Sequence, residues 1–237
     1  MYKISKLENI SFKNMNFYYS KKAFLPTGTS EILADEACKI INNKKYDILD
    51  FGCGIGVVGI YMAKKKNNCR FFASDISLEG TKLTLMNSTK HNVKIEVKNG
   101  NLFSPWRSYK FDFIISDVSG ISDKISKISP WFKNVSCESG FDGTRLIIKI
   151  LKSSKNFLKN NGKIFFPIIS LSNKEKILET ASNFFKSIKL LSIKSWPMPK
   201  EMYKHKKLLS NMKKRKIIDY HEKFGILTFD TEIYSAE

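Results

Sequence analysis

The sequence has few of the residues that build metal centres, disulfides and membrane spans. Its 237 residues include four cysteines and three histidines, and none of them occurs in CxxC or Cys/His ligand spacing. This pattern indicates neither a zinc site nor a disulfide framework, and we expect reduced thiols. No run approaches the roughly eighteen apolar residues of a membrane span, and the polar N-terminus lacks the apolar core of a signal peptide. We therefore expect a cytoplasmic protein with no metal site.

Arginine is scarce although the chain is strongly basic. Lysine and arginine together number 41 against 22 acidic residues, which gives a formal net charge of +19, and only four of the 41 are arginine. A basic surface concentrates phosphate groups, as in nucleic-acid binding. Arginine, however, is the residue best suited to bidentate phosphate and base contacts, and an A+T-rich coding sequence would also produce this excess of lysine. RNA binding and biased composition both remain open.

The most informative segment runs from Asp47 to Ala63, with the sequence DILDFGCGIGVVGIYMA. A short apolar strand is followed at once by three glycines: Gly52, Gly54 and Gly56. Glycine lets the backbone turn tightly and approach a ligand closely, and the helix that begins at Val57 points its free N–H groups into the turn. The segment therefore predicts a cradle for a nucleotide-type cofactor.

Two acidic residues indicate which cofactor the cradle takes. Asp75 follows the next strand, about twenty residues after the turn, where a carboxylate holds the two hydroxyls of a ribose. Asp50 lies just before the first glycine, where its charge would repel a pyrophosphate but tolerate a cationic amino-acid moiety. The pair favours S-adenosylmethionine over a dinucleotide. The alternative is that the glycines serve only helix–strand packing.

An acidic residue followed by GxGxG resembles the first motif of the class I S-adenosylmethionine-dependent methyltransferases. Within that class, the segment from Phe24 to Ala37 resembles the cofactor-covering loop of the small-domain methyltransferases, which include release-factor glutamine methyltransferases and ribosomal RNA guanine methyltransferases. The likeness extends from about residue 24 to residue 170. It implies cofactor contacts for further residues beside Asp50, Asp75 and the glycines: Thr27, Gly28, Thr29, Glu31, Asn101, Leu102 and Asp117.

The acceptor motif departs from that group. The fourth strand ends in Asp-Val-Ser-Gly at residues 117–120, where relatives that methylate planar nitrogens carry Asn or Asp, two prolines and an aromatic residue. Only the acidic first residue is kept. We predict that Asp117 orients or deprotonates the acceptor, with Ser119 as a hydrogen-bonding neighbour. Glu138 and Asp142 are second candidates.

Three functions fit these motifs. The segment from Cys137 to Pro167 is similar to its counterpart in release-factor glutamine methyltransferases, which favours a nitrogen on a protein or a small molecule as the acceptor. A base in ribosomal or transfer RNA is the alternative, supported by the net charge and by a basic insertion over residues 197–223. Trp131, Trp196 and Tyr203 could line the acceptor pocket. A non-catalytic cofactor-binding protein of the same fold is a further alternative.

Helical and strand patterns alternate from residue 30 onward and predict one methyltransferase domain over residues 1–237. We expect an α/β fold with a Rossmann-like, doubly wound, seven-stranded mixed sheet, whose last strand is antiparallel as in class I methyltransferases. Residues 1–29 would form an N-terminal extension and the cofactor-covering loop. Ser30 could cap a helix starting near Glu31, and the helix over residues 143–158 should stop at Asn160-Asn161-Gly162.

Overall fold

The computed structural model describes residues 6–118, 120–132, 137 and 139–237. Their strands are β1 (Leu7–Phe12), β2 (Met15–Ser20), β3 (Asp47–Phe51), β4 (Arg70–Asp75), β5 (Ile95–Asn99), β6 (Phe111–Ser116), β7 (Leu158–Ile169), β8 (Ile188–Pro197), β9 (His221–Lys223) and β10 (Ile226–Ala236). Their helices are α1 (Gly28–Ile40), α2 (Val57–Lys65), α3 (Leu78–Lys90), α4 (Asp123–Ser126), α5 (Arg145–Ser154), α6 (Lys174–Phe184) and α7 (Lys206–Lys214).

The main sheet has the strand order β5-β4-β3-β6-β7-β10-β8, and the short β9 pairs with β10. Strands β3, β4, β5, β6 and β7 run parallel to one another. Strand β10 is antiparallel to both β7 and β8. The predicted mixed sheet with an antiparallel last strand is therefore confirmed, and β9 adds a short eighth strand. No helix of the described chain is both long and apolar enough to cross a bilayer.

Helices cover both faces of this sheet because the central strands are apolar on both sides. In β3, Ile48 belongs to one core cluster and Leu49 to the other, and both side chains are fully buried. Successive side chains of a strand point to opposite faces, so neighbouring residues serve different cores. Helices α1, α2 and α3 pack on the first face, for example through Leu33, and α5 and α6 pack on the second, for example through Ile150.

Parallel pairing brings three sequence motifs to one edge of the sheet. Phe51, the last residue of β3, is the register partner of Ser74 in β4 and of Ser116 in β6. The residues that follow these three therefore stand in line at what we call the carboxyl edge: Gly52, Asp75 and Asp117. Ligands of open α/β sheets bind outside this edge.

An ion-pair network joins the strands at the opposite, amino edge. The Asp47 carboxylate accepts hydrogen bonds from Arg70 Nε at 2.6 Å and from Lys159 Nζ at 2.8 Å. Lys159 also donates to Asp112 Oδ2 at 2.8 Å. Burial raises the pKa of Asp47, but these cationic donors outweigh it, and the pKa lies below its usual value. The basic groups here are thus matched to carboxylates and hold β3, β4, β6 and β7 in register.

Residues 7–20 form a hairpin that the sequence analysis did not anticipate. The turn residues Lys13 and Asn14 have φ of 50° and 61°, as a tight hairpin turn requires. Phe17 is fully buried against the first core cluster. The buried Asn87 of α3 accepts from the Tyr18 N–H at 2.7 Å and donates to the Tyr18 carbonyl at 2.9 Å. The hairpin is therefore held to the sheet's helical layer by both packing and hydrogen bonds.

The predicted helix over residues 143–158 is too long. Helix α5 ends at Ser154, and β7 already begins at Leu158, so the Asn160-Asn161-Gly162 sequence lies inside a strand rather than ending a helix. The pairing of β6 with β7 shifts register across this sequence, and Asn161 has a φ of 60°. Asn and Gly tolerate positive φ in a bulge as well as at a helix end, which explains the error.

Phe17→Ala should lower the free energy of unfolding by about 3–5 kcal/mol, because it removes a fully buried aromatic side chain and leaves a cavity. Urea denaturation measures the change. Phe224→Ala is the matched control, since Phe224 is 92% exposed. A loss for Phe17→Ala no larger than that of the control would show that the hairpin does not pack on the domain.

Candidate cofactor and acceptor site

The glycine turn between β3 and α2 has the geometry of a cradle. Gly52, Gly54 and Gly56 have φ of 71°, 52° and 85°, which side-chain-bearing residues rarely adopt. The N–H groups of Gly52 and Cys53 both donate to the Ser74 carbonyl, at 2.8 and 3.0 Å. A Cβ atom at Gly54 would meet no atom within 4 Å, so the turn borders open space there. A ligand can therefore approach the backbone closely.

Asp50 lies beneath this turn with one oxygen unused. Its side chain is 1% exposed, and Oδ2 accepts a hydrogen bond from the Gly59 N–H at 2.8 Å. Oδ1 has no hydrogen-bond partner among the described residues. Burial raises the pKa of Asp50 to about 7, although the hydrogen bond from Gly59 lowers it. The nearby charges of Asp117 and Asp75 raise it further. This carboxyl group would gain from a cationic neighbour.

Asp75 anchors the turn to the end of β4. Its Oδ2 accepts from the Gly54 N–H at 2.8 Å, and its Oδ1 accepts from the Ser77 N–H at 2.7 Å. Burial raises the pKa of Asp75 in spite of these two hydrogen bonds. Each carboxylate oxygen has a second lone pair, so Asp75 can accept two further hydrogen bonds from a vicinal diol.

Asp117 follows β6 and is half-buried. Ser30 Oγ donates to Asp117 Oδ2 at 2.6 Å, and burial raises the pKa of Asp117 to about 7 against this hydrogen bond. Val118 packs over the glycine turn, where a Cβ atom at Gly52 would lie 2.1 Å from Val118 Cγ2. The side chain after Asp117 is therefore committed to packing. The carboxyl group itself has a fixed orientation and a near-neutral pKa.

The first turn of α1 contacts Asp117 through Ser30. Thr27, not Ser30, is the N-cap: its Oγ1 accepts from the Thr29 N–H at 3.3 Å, and α1 begins at Gly28. The expectation that Ser30 caps a helix starting near Glu31 is wrong, because a Thr one turn earlier takes the cap. Ser30 completes the capping box by accepting from the Thr27 N–H at 3.3 Å, which leaves its hydroxyl proton for Asp117.

Trp196 holds the same turn from the other side. A Cβ atom at Gly28 would lie 2.2 Å from Trp196 Cη2, so only glycine permits this contact. Trp196 Nε1 donates to Thr231 Oγ1 at 3.2 Å, and the hydroxyls of Thr231 and Thr29 are 3.4 Å apart. Trp196 near the end of β8 and Thr231 in the middle of β10 thus contact the predicted cofactor-covering loop.

Two of the predicted cofactor contacts lie beyond β5. Asn101 is exposed, and Leu102 is partly buried against the second core cluster with a φ of 49°. Glu31 is exposed in the first turn of α1. Ile76 is a further candidate for a cofactor contact, which the sequence motifs did not suggest. It follows Asp75 directly, and its side chain is 71% exposed. An apolar side chain next to a ribose-type carboxylate is the signal that could have identified it.

Other candidates have structural partners. Asp142 pairs with Lys176 at 2.7 Å, Trp131 contacts Phe229 with ring centroids 5.2 Å apart, and the Tyr203 hydroxyl accepts from the Leu227 N–H at 2.9 Å. These three residues stabilise neighbouring loops. Ser119 and Glu138 lie outside the described residues.

The carboxyl edge is short of positive charge. In the part of the chain that the structure describes, no basic side chain forms an ion pair with Asp50, Asp75 or Asp117, although other carboxylates of this chain are paired with lysine or arginine. No three acidic, histidine or cysteine side chains among the described residues are placed to hold a metal ion. These features fit S-adenosylmethionine. Its sulfonium and ammonium groups are cationic and suit the unpartnered Asp50 oxygen, its ribose diol suits the free lone pairs of Asp75, and the glycine turn is open to a ligand.

Known proteins with similar sequences include methyltransferases. Residues 10–118 match the methyltransferase small domain family. A release factor glutamine methyltransferase of Dictyoglomus turgidum is 29% identical over 204 residues, covering 80% of this chain and 70% of that protein. A bifunctional methyltransferase of Rickettsia typhi is 28% identical over 200 residues, covering 73% of this chain and 38% of that protein. The chain thus spans well under half the length of some curated relatives.

Solved structures share the fold. The T. thermophilus 16S rRNA N2 G1207 methyltransferase, in complex with AdoMet and guanosine, superposes with a TM-score of 0.59 at 11% identity, covering 98% of this chain and 50% of that chain. At this identity the likeness concerns the arrangement of helices and strands, and it agrees with the mixed sheet described above.

Replacing Asp50 with asparagine should change how stability depends on pH. Folded Asp50 stays protonated up to about pH 7, whereas an unfolded aspartate ionises near pH 4, so the folded protein binds more protons between these values and loses stability as pH rises. One such group contributes roughly 1.4 kcal/mol per pH unit. Urea denaturation at pH 5, 6, 7 and 8 should show that Asp50→Asn lacks this part of the slope.

Asp142→Asn is the matched control for this measurement. Burial raises the pKa of Asp142, but hydrogen bonds from Lys176 and Thr144 outweigh it, and the pKa lies below its usual value. Its contribution is lost only as pH falls toward that pKa, so it adds no slope between pH 5 and 8. Equal slopes in wild type and Asp50→Asn would contradict a buried, protonated Asp50.

Proposed function

Since this chain belongs to the small-domain group of class I S-adenosylmethionine-dependent methyltransferases, we propose that it transfers a methyl group from S-adenosylmethionine to a nitrogen on a protein or a small molecule. The observation that carries the proposal is the carboxyl edge itself. There, an open glycine turn meets Asp50, Asp75 and Asp117, none of which has a basic partner among the described residues.

Different residues of this edge would contact different parts of the cofactor. Asp75 accepts the ribose hydroxyls with its free lone pairs, and the exposed Ile76 offers an apolar surface to the adenine. The glycine turn would admit the methionine end, and the unpartnered Oδ1 of Asp50 would hold its cationic groups. The first turn of α1, from Thr27 to Thr29, covers that end. When bound, the cofactor supplies an electrophilic methyl group on a positively charged sulfur.

Asp117 serves the acceptor. Methyl transfer is an in-line displacement, so much of the rate enhancement comes from holding the acceptor in near-attack geometry. Asp117 lies at the end of β6 with its carboxyl group oriented by Ser30. It accepts a hydrogen bond from the acceptor nitrogen and takes up the proton that the nitrogen loses. The similarity to a release factor glutamine methyltransferase supports a nitrogen acceptor.

Two substitutions separate cofactor binding from catalysis. Asp75→Ala should weaken S-adenosylmethionine binding at least tenfold in calorimetry, because two hydroxyls lose their acceptor. Asp117→Ala should keep the cofactor affinity within a few-fold. Its transfer of labelled methyl into a lysate from cells lacking this gene should fall by roughly 10²-fold or more.

Asp112→Asn is the control for both variants, since Asp112 pairs with Lys159 at the amino edge of the sheet, opposite the site. Unchanged cofactor binding in Asp75→Ala would refute the assigned cofactor site. Unchanged turnover in Asp117→Ala would refute its role toward the acceptor. Binding of cofactor without label in the nuclease-sensitive, protease-sensitive or small-molecule fraction would favour the non-catalytic alternative.

RNA is the second candidate acceptor, and the basic insertion favours it. Residues 197–223 carry Lys or Arg at nine positions and Asp or Glu at three. Leu209 and Met212 of α7 pack with Ile121, which follows β6, so the insertion lies beside the carboxyl edge. Phe141 is 43% exposed there, and Arg215 lies 5.2 Å from its ring centroid. Cations beside exposed aromatic rings suit single-stranded nucleic acid.

A charge series in the insertion tests this candidate. The variant replaces six lysines by glutamine: Lys204, Lys206, Lys207, Lys213, Lys214 and Lys216. If the insertion follows phosphates, the slope of log affinity for single-stranded RNA against log salt concentration should flatten by about 0.7 per lost phosphate contact. Replacing the same six lysines by arginine keeps the charge and should keep the slope. Equal slopes in all three proteins would mean that the insertion does not bind RNA.

A further inference from the structure

We propose that Ser30 is a positioning residue for methyl transfer, which engages Oδ2 of Asp117 so that Oδ1 is the oxygen that meets the acceptor and takes up its proton. The proposal rests on the proposed function and assigns the two oxygens of its acceptor-binding carboxyl group. It is carried by one hydrogen bond from a buried serine and by the contacts that hold this serine in place.

The Ser30 hydroxyl has a defined direction. Its side chain is 2% exposed, and its Oγ lies 2.6 Å from Asp117 Oδ2. The same Oγ accepts from the Thr27 N–H at 3.3 Å, as part of the capping box of α1. A serine hydroxyl has one proton and two lone pairs, so the Thr27 N–H occupies a lone pair and the single proton is available to Asp117. The helix cap thus turns Ser30 toward the carboxyl group.

The first turn of α1 is itself held at two further points. A Cβ atom at Gly28 would lie 2.2 Å from Trp196 Cη2, so this side of the turn is closely packed. The hydroxyls of Thr29 and Thr231 are 3.4 Å apart. Contacts with β8 and β10 therefore hold the turn that carries Ser30. A donor held in this way fixes the rotation of the carboxyl group that it engages.

The two oxygens of Asp117 are therefore unequal. Oδ2 receives the hydrogen bond from Ser30, whereas no hydrogen bond from the described residues reaches Oδ1. As long as Ser30 donates to Oδ2, a proton that Asp117 takes up has to lie on Oδ1. Oδ1 is thus the oxygen that accepts from the N–H of the acceptor.

The transfer step balances on this assignment. The lone pair of the acceptor nitrogen forms the new N–C bond while the S–CH₃ bond breaks, and the bonding electrons stay on sulfur. The N–H proton passes to Oδ1 of the Asp117 carboxylate, which later releases it to solvent. Ser30 keeps its own proton throughout, so it positions the carboxyl group without reacting.

Ser30 also favours the ionised form that this step requires. Burial raises the pKa of Asp117 to about 7, and the hydrogen bond from Ser30 lowers it. Two acidic groups belong to the neighbouring elements: Asp50 of β3, whose pKa the Asp117 charge raises, and Glu31 of α1, which is exposed. Neither stabilises a carboxylate, and no basic side chain of the described chain forms an ion pair with Asp117. Among the described residues, Ser30 is therefore the group that stabilises the ionised Asp117.

Three serine variants test the proposal by activity. Ser30→Ala removes the hydroxyl and Ser30→Thr restores one, while the control Ser154→Ala removes a buried hydroxyl that bonds the Leu151 carbonyl in α5. The rate of labelled methyl transfer into a lysate from cells lacking this gene should fall about tenfold in Ser30→Ala and stay within about threefold of wild type in the other two. Cofactor affinity in calorimetry should be unchanged in all three. Because the carboxylate loses its donor, the rate of Ser30→Ala should reach its half-maximum at a higher pH.

A titration of Asp117 gives a second readout that does not depend on turnover. Carbon-13 NMR of its carboxyl group, assigned from the signal that Asp117→Asn loses, should report a higher pKa in Ser30→Ala than in wild type or Ser154→Ala. An unchanged pKa, an unchanged rate, or a loss of rate that Ser30→Thr does not restore would overturn the proposal and leave the proposed function standing. A wild-type protein that binds the cofactor but transfers no label would refute both.

Discussion

The carboxyl edge depends on one constraint: the register that aligns the ends of β3, β4 and β6. Phe51 pairs with Ser74 on one side and with Ser116 on the other, so the glycine turn and two aspartates must share one edge. A slip of one residue in either ladder would turn a carboxyl group away from the turn. The function that we propose depends on this alignment before any single side chain.

The two edges of the sheet treat charge in opposite ways. At the amino edge, Arg70 and Lys159 neutralise Asp47 and lock four strands together. At the carboxyl edge, Asp50, Asp75 and Asp117 are held by backbone N–H groups and one hydroxyl. Such groups orient a carboxyl group and leave it without a cationic partner. These unpaired carboxyl groups lower the stability of the free protein, and a bound cation would offset that loss.

Much of the fold was predictable because its strongest signals are local. The glycine turn and the apolar period after it predict α2 over the residues observed, Val57–Lys65. The hairpin over residues 7–20 was missed because its turn is Lys13-Asn14, which lacks the glycine of a common hairpin turn. The helix cap was misplaced by three residues because Thr27 and Ser30 are both good caps. The stop at Asn160–Gly162 failed because the same residues suit a strand bulge.

Sequence alone predicts the site residues that lie directly at the ends of strands. Asp50, Asp75 and the glycines could be assigned because each lies at the end of a strand. Ser30 and Trp196 could not, since their contacts join residues far apart in the sequence: 87 positions for Ser30 to Asp117 and 35 for Trp196 to Thr231. A crystal structure with S-adenosylhomocysteine is the most direct test of the account. We expect the ribose hydroxyls within hydrogen-bonding distance of Asp75 and the amino group on the Asp50 side of the glycine turn. A molecule bound elsewhere, or an Asp75 bonded only to the backbone, would contradict it.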